Sequence, residues 1–423
     1  MEGSGAPTVL SLALAPEVKR TWSGLHGSTG HIQLTDGPLL DALEEGATLQ
    51  RLLEVGTPRA GRDVRGVLDV LHHYCLIAWQ ARDVEGRASA ALVPLRSDIP
   101  LPDPTTVLSE PDARLSRFAL MRLMGDTWLV ESGRSPFAVI LSDEAAAAIT
   151  SGSATAELRR LLAMGRLLDD SDDDGLARYW EFHDRYFASR SRMDGSPSGG
   201  TFRFAGIHDP EPAISRPPLP GRVVSLPVPD PEDVGPGLWQ VSARRSSRQD
   251  ASDEPVTLDQ LGSLLWHTLR ITDVRPRNPD SPTSYDAIRR PVPSGGATHS
   301  IGLWLACGNV AGVPSGLWWY DPGAHALVHV AEVPEQFVEA SVAAHGLLIS
   351  RHARLAWKYQ RIAHALALKD CGVILHALQL GATALGLAMC PIGSGPTASV
   401  LSALGLDEDE YVPVGEFWLA VPR

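Results

Sequence analysis

Three short segments in the second half of this 423-residue chain carry groups suited to an anionic or flat ligand. The first, SARRSSRQ, places Arg244, Arg245, Ser246 and Arg248 at the entry to a helical region. Clustered guanidinium groups offer permanent charge and forked donors that suit a phosphate, although the same cluster also reads as a solvated basic turn. The second, RRPVPSGGATH, presents Pro293, Ser294, Gly295 and Gly296. Missing side chains there let backbone N–H groups approach a ligand, or simply allow a turn. The third, LGLAMCPIGSGP, ends an apolar helix with a strand-like run and the turn Pro391, Ile392, Gly393, Ser394 and Gly395, whose amides are placed to face a cofactor edge.

Elements must hold these segments. The second half alternates helical and strand patterns: a helix at 257–270, a strand at 301–307, a hairpin around Asp321 to Gly323, and a long helix at about 356–387. On this pattern alone Lys358 and Tyr359 open the long helix, the lysine in solvent and the tyrosine against the core.

The order RRSSR, PSGG and GLAMCPIGSG ahead of a terminal strand GEFWLAVP resembles the FMN-dependent nitroreductase superfamily. More narrowly, the chain looks like the SagB-type or McbC-like dehydrogenases, which oxidise thiazolines and oxazolines in ribosomally made peptides to azoles. The run GLWWYDPGAHALVHV, with Tyr320, Asp321 and His325, resembles that family's Gly-Leu-Tyr-x-Tyr-Asp hairpin, and WEFHDRYFASRSR resembles its upstream helix. The resemblance implies an α+β nitroreductase fold and FMN as cofactor, bound by Arg244, Arg245, Ser246, Arg248, Pro293 to Gly296 and Pro391 to Ser394. It further implies a homodimer with FMN between subunits, an azoline-containing precursor peptide as substrate, a cyclodehydratase as partner and oxygen as final electron acceptor. Lys358 and Tyr359 stand where the family carries an adjacent lysine and tyrosine implicated in azoline oxidation. That chemistry needs a base for a ring-carbon proton while hydride leaves for the flavin, a task for a lysine or tyrosinate tuned by burial. Two departures stand out. After PSGG and His299 the family continues with a proline, an aliphatic residue and a glutamate, where this chain has Ser300, Ile301 and Gly302, and His364 replaces an expected aromatic.

Upstream, a weak duplication of strand and helices suggests two winged-helix-like modules, at 1–100 and at 101–195 with a connecting helix near 176–192. Such modules bind DNA or peptides, and the acidic balance of this chain favours peptide. In the first module Val64, Val67, Leu68, Leu71 and Cys75 recur at helical spacing. In the connecting helix Trp180, His183 and Phe187 share neighbouring faces. A Pro/Gly-rich stretch at 196–236 reads as a linker ahead of the domain at 237–423. His72, His73 and Cys75 read as structural, because adjacent histidines on a helix point to different faces.

Bulk properties bound the alternatives. With 44% hydrophobic and 21% charged residues the chain has the composition of ordinary globular proteins. A formal net charge of −13 argues against broad binding to nucleic acid. Four cysteines without a CxxC pair suggest neither disulfides nor zinc, which fits a reducing cytoplasm. No export signal and no apolar run of membrane-spanning length is read. Hydrolase elbows, Walker loops and dinucleotide fingerprints are missing from the sequence. Two further readings stay open: oxidation of a thiazoline held on a nonribosomal peptide synthetase carrier, or a scaffold that has lost its chemistry.

Overall fold

The computed structural model describes residues 10–423 other than 22–23, 28–29, 35, 60, 84, 96–98, 103–113, 169–174, 193–200, 203, 215–220, 234, 334–341, 360, 394 and 396. Its contacts divide into two units, Met1–Gly200 and Thr201–Arg423.

In the first unit β1 (Ser11–Leu14) is followed by a small meander of β2 (Lys19–Thr21), β3 (Gly24–Gly27) and β4 (Gly30–Ile32). Three helices come next, α1 (Gly37–Glu45), α2 (Leu49–Val55) and α3 (Val64–His73), then the hairpin of β5 (Ile77–Arg82) and β6 (Ala88–Pro94). Each helix begins at a short polar side chain that accepts an otherwise orphaned N–H: Asp36 from Leu39, Thr48 from Arg51 and Asp63 from Gly66. The expected periodicity of α3 is realised, with Val64, Val67, Leu68 and Leu71 all buried. Beyond residue 100 follow β7 (Ala119–Met124), β8 (Thr127–Ser132), β9 (Phe137–Leu141), α4 (Asp143–Ser151), α5 (Ala156–Met164) and α6 (Phe182–Arg190).

The strands form one antiparallel sheet in the order β1-β5-β6-β9-β8-β7. Pairing of β6 with β9, from Ala90 opposite Leu141 to Pro94 opposite Phe137, joins the segments read as two winged-helix-like modules through one sheet and one apolar core. The connecting helix expected at 176–192 is two pieces, a 3-10 turn at Gly175–Tyr179 and α6, with Trp180 and Glu181 between them.

The second unit opens with β10 (Val223–Ser225), α7 (Leu238–Arg244), α8 (Leu258–Thr268) and the two-stranded ribbon of β11 (Asp273–Arg275) and β12 (Ala287–Arg289). Its main strands are β13 (Ile301–Cys307), β14 (Gly316–Asp321), β15 (Ala326–Ala331) and β16 (Ala344–Arg351). They are followed by α9 (His352–Ala356), α10 (Ala363–Ala384), β17 (Ala388–Ile392), α11 (Thr397–Leu404) and β18 (Tyr411–Ala420). The seven-stranded antiparallel sheet runs β10-β15-β14-β13-β16-β18-β17. Strand β10 lies inside the stretch 196–236 expected to be linker. It pairs with β15 only as an edge, the place where a chain soon interrupted by Pro227 and Pro229 loses no ladder bond.

Both faces of this sheet are covered. Leu303, Leu305, Trp318, Tyr320 and Leu348 join the core that includes Leu261, Leu264 and Leu265 of α8 and Ile374 and Leu378 of α10. The alternate positions Trp304, Ala306, Leu317, Trp319, Leu347 and Ile349 pack with Val400, Leu401 and Leu404 of α11. Strand 301–307 therefore reads as one apolar run, because neither face meets water.

The long helix expected from 356 is broken, since α9 ends at Ala356 and α10 begins at Ala363, and Lys358 and Tyr359 fall in the connection. At 22 residues with a mean hydropathy of 1.2, α10 is long and apolar enough to cross a membrane, which corrects the expectation that no segment reaches that length. Here it is a core helix: Ile374, Leu378 and Ala382 are buried in the apolar cluster, and Asp370 and Gln379 of the same helix make hydrogen bonds inside the unit.

Candidate active site

The PSGG turn is held in an uncommon backbone conformation. Gly296, Ala297 and His299 all have positive φ, at 61°, 55° and 43°. For the two non-glycine residues this costs on the order of 1–3 kcal/mol each, sustained only where the surroundings fix the chain. The fixing contacts are present. Ser294 Oγ donates to Asp370 of α10 at 2.6 Å, and the Gly295 N–H reaches both oxygens of the same carboxylate at 3.1 Å. The Ser294 hydroxyl also accepts the His299 N–H at 3.0 Å, and Arg354 Nε donates to the Thr298 carbonyl at 2.5 Å. Burial pushes the Asp370 carboxyl above its ordinary value, against the pull of Ser294 and Gly295.

Lys358 and Tyr359 close on this turn. A Cβ on Gly296 would stand 2.6 Å from both Lys358 Nζ and Tyr359 Oη, so a side chain here would displace the ends of that pair, and the positive φ itself favours glycine. Lys358 Nζ donates to Tyr285 Oη at 2.6 Å, and Tyr285 in turn donates to the Gly296 carbonyl at 2.5 Å. The ammonium lies over the rings of Tyr285, Tyr359 and Phe202 at 4.9, 5.1 and 5.5 Å. The Lys358 carbonyl accepts the Phe202 N–H at 2.7 Å, and the indole of Trp357 donates to the His208 carbonyl at 2.8 Å. Burial works against the Lys358 charge, but hydrogen bonds and charge interactions with Tyr285 and Tyr359 outweigh it and hold the amine above the ordinary lysine value. Lys358 is therefore an ammonium near neutral pH.

The other two segments meet at the far end of α10. Gln379 Nε2 donates to Ser247 Oγ at 3.0 Å and its Oε1 accepts from Arg245 at 3.4 Å. The Arg248 N–H donates to the Met389 carbonyl at 3.1 Å, tying the arginine segment to β17 just ahead of Pro391 and Ile392. Arg248 engages Asp250 with both arms of its fork, at 2.9 and 2.5 Å, whereas Arg244 and Arg245 have no carboxylate within 4.0 Å among the described residues. Pro391 and Ile392 are half-buried, Gly393 is exposed, and Ser394 lies outside the described residues. Gly395 abuts the Glu416 carboxylate, which also pairs with His345 at 2.8 Å. Asp370 and Gln379 are nine residues apart on α10 (379 − 370), about 13 Å along the axis. Within one chain the PSGG turn and the arginine segment are thus fastened at two separate points along one helix.

Residues 241–421 match the Nitroreductase family. The match spans less than half of the chain. A candidate nitroreductase of Methanocaldococcus jannaschii, MJ1384, is 24% identical over 184 residues, 41% of this chain and 86% of the relative. Among solved structures, a candidate nitroreductase from Ralstonia eutropha is 20% identical with a TM-score of 0.39, covering 50% of this chain and 98% of that one. The E. coli microcin synthetase McbBCD complex with truncated pro-MccB17 bound is 19% identical with a TM-score of 0.36, covering 55% of this chain and 85% of that one.

Residues 241–421 contain groups that the motifs did not single out. Tyr285, Asp370 and Gln379 each bind a motif residue from a distant place in the chain. Asp370 had a sequence signal, a lone carboxylate inside an otherwise apolar helix, and Tyr285 had none. In the first unit, His72 Nδ1 pairs with the Ile99 carbonyl at 3.1 Å while His73 is exposed, so the two rings point apart.

Proposed function

We propose that this chain is an FMN-dependent dehydrogenase that oxidises thiazoline or oxazoline rings of a ribosomally made peptide to thiazoles or oxazoles, working beside a cyclodehydratase. The observation that carries the reading is the packing of Lys358 and Tyr359, with Tyr285, on Gly296 of the PSGG turn. The residues present suit FMN: Arg244, Arg245 and Ser246 carry groups for its phosphate, and Gly296 and Gly393 offer amides for the edges of its ring system, the Gly295 N–H being held by Asp370. Bound FMN would accept the hydride that leaves one ring carbon of the azoline, with oxygen as the final acceptor.

The protein's task is the proton on the neighbouring carbon. We assign it to the Lys358–Tyr359 pair, whose Nζ and Oη both approach Gly296, with Lys358 the cationic member of the pair. Tyr285 fixes the ammonium and the turn together. In this reading a complete site combines the arginine set of one protomer with the PSGG set of its partner in a homodimer. The first unit, with its winged-helix-like halves, would recognise the leader region of the peptide or the partner enzyme.

The purified protein should show a flavin absorption band and release FMN on denaturation, and it should convert an azoline peptide to the azole with a loss of two mass units. A protein that neither carries nor binds added FMN would sink the reading, and a flavoprotein inert on azoline peptides would sink its substrate.

A further inference from the structure

Three arginines crowd one region of the second unit with carbonyls, not carboxylates, as partners. Arg354 donates to the carbonyls of Thr298, Glu211 and Asp286 at 2.5, 2.6 and 2.7 Å, and Arg351 to those of Pro212 and Ala213 at 2.8 and 2.9 Å. Arg290 is worse served. Its one bond is 3.3 Å long, from Nη1 to the Ile301 carbonyl, and its Nε is sealed from solvent without any partner among the described residues. None of the three has a carboxylate oxygen within 4.0 Å among the described residues. Burial brings Arg290 and Arg354 down to about 10, so both remain cations at neutral pH.

Arg290 and Arg351 share the wall of a cavity of about 30 Å³, and no aspartate or glutamate lines it. The remaining polar groups bring no negative charge. His299 is held neutral, pushed down to about 3 by burial and by Arg290 and Arg354. The Tyr320 hydroxyl pairs with His325 at 2.9 Å, and the Ser300 hydroxyl pairs with that of Ser350 at 3.0 Å. Tyr411 is the last polar group on the wall. Gly302, Trp304 and Trp319 are among the remaining, uncharged lining groups, and the Trp304 ring stands 2.8 Å from where a Cβ on Gly302 would be.

A buried guanidinium left without a counter-charge costs several kcal/mol, and apolar walls strengthen whatever field it sets up. The cavity exceeds the space one water needs by roughly twofold, which suits a small anion. We propose that this cavity binds a small carboxylate-type monoanion, of formate or acetate size, through Arg290 and Arg351. The site adjoins the PSGG turn through His299 and Ser300, and its test does not depend on the flavin or azoline chemistry.

The test uses the full chain and acetate as the probe, titrated against sulfate at constant ionic strength, with indole fluorescence and melting temperature as readouts. Trp304 and Trp319 report occupancy directly. A saturable fluorescence change with a parallel rise in melting temperature is expected, weakened by at least about tenfold in Arg290→Gln. A response that is absent, unsaturable, or unchanged in a folded Arg290→Gln variant would overturn the site. Should that variant not fold, bromide quenching of the wild-type protein decides the matter: protection by acetate supports the site, and unprotected quenching refutes it.

Discussion

Gly296 concentrates the constraints on the site, since its φ of 61° disfavours a side chain and a Cβ there would press on the ends of Lys358 and Tyr359 at 2.6 Å. In Gly296→Ala the turn has to move, so azole formation should fall by more than tenfold, at a stability cost of about 1–2 kcal/mol. A rate assay on variants that still carry flavin checks this. Lys358→Ala and Tyr359→Phe should retain FMN while turnover drops sharply, and full activity in both would remove them from the chemistry. The arginines are not equivalent. Arg248 already spends its fork on Asp250, so Arg245→Ala should lower flavin occupancy more than Arg248→Ala, as read from the ratio of flavin to protein absorbance. At this scale the sequence was legible where chemistry sits in contiguous motifs. Tyr285, Asp370 and Arg290 escaped it because their importance comes from partners 73, 76 and 11 positions away, brought near only by folding.

At the scale of elements, α10 does two jobs. Asp370 fastens the PSGG turn and Gln379 fastens the arginine segment, on one rigid rod whose apolar face is sunk in the core. Leu378 has no exposed surface, and Leu378→Ala should cost about 2–5 kcal/mol in denaturant unfolding and loosen both ends at once. The strand at 301–307 and the hairpin at Asp321 were legible because apolar runs and turn residues mark them locally. The break between α9 and α10 was not. Lys358 and Tyr359 are compatible with a helix, and what interrupts it is a tertiary pull, the contacts of this connection with Phe202, His208 and Tyr285.

For the whole molecule, buried histidines set an acid limit. His72 sits at about 4, below the ordinary 6.5, because burial opposes its charge. The unfolded chain then binds the proton first. The stability is complete above pH 6.5 and is lost as pH falls from 6.5 toward 4, amounting to about 2 kcal/mol at pH 5. The melting temperature of the first unit should fall between pH 7 and pH 5, and His72→Gln should flatten that slope. If each active site is shared between protomers, co-expressed Lys358→Ala and Arg245→Ala subunits should recover roughly a quarter of wild-type turnover, although each alone is inactive. No recovery would place a complete site within one chain.

The β6–β9 seam also governs how the gene can be divided. A cut near residue 100, where the chain looks like two modules, would leave Ala90–Pro94 on one fragment and Phe137–Leu141 on the other, each a bare apolar edge with unpaired N–H and C=O groups. Fragments made that way should precipitate or swap strands, whereas division at the 200/201 border leaves both sheets whole.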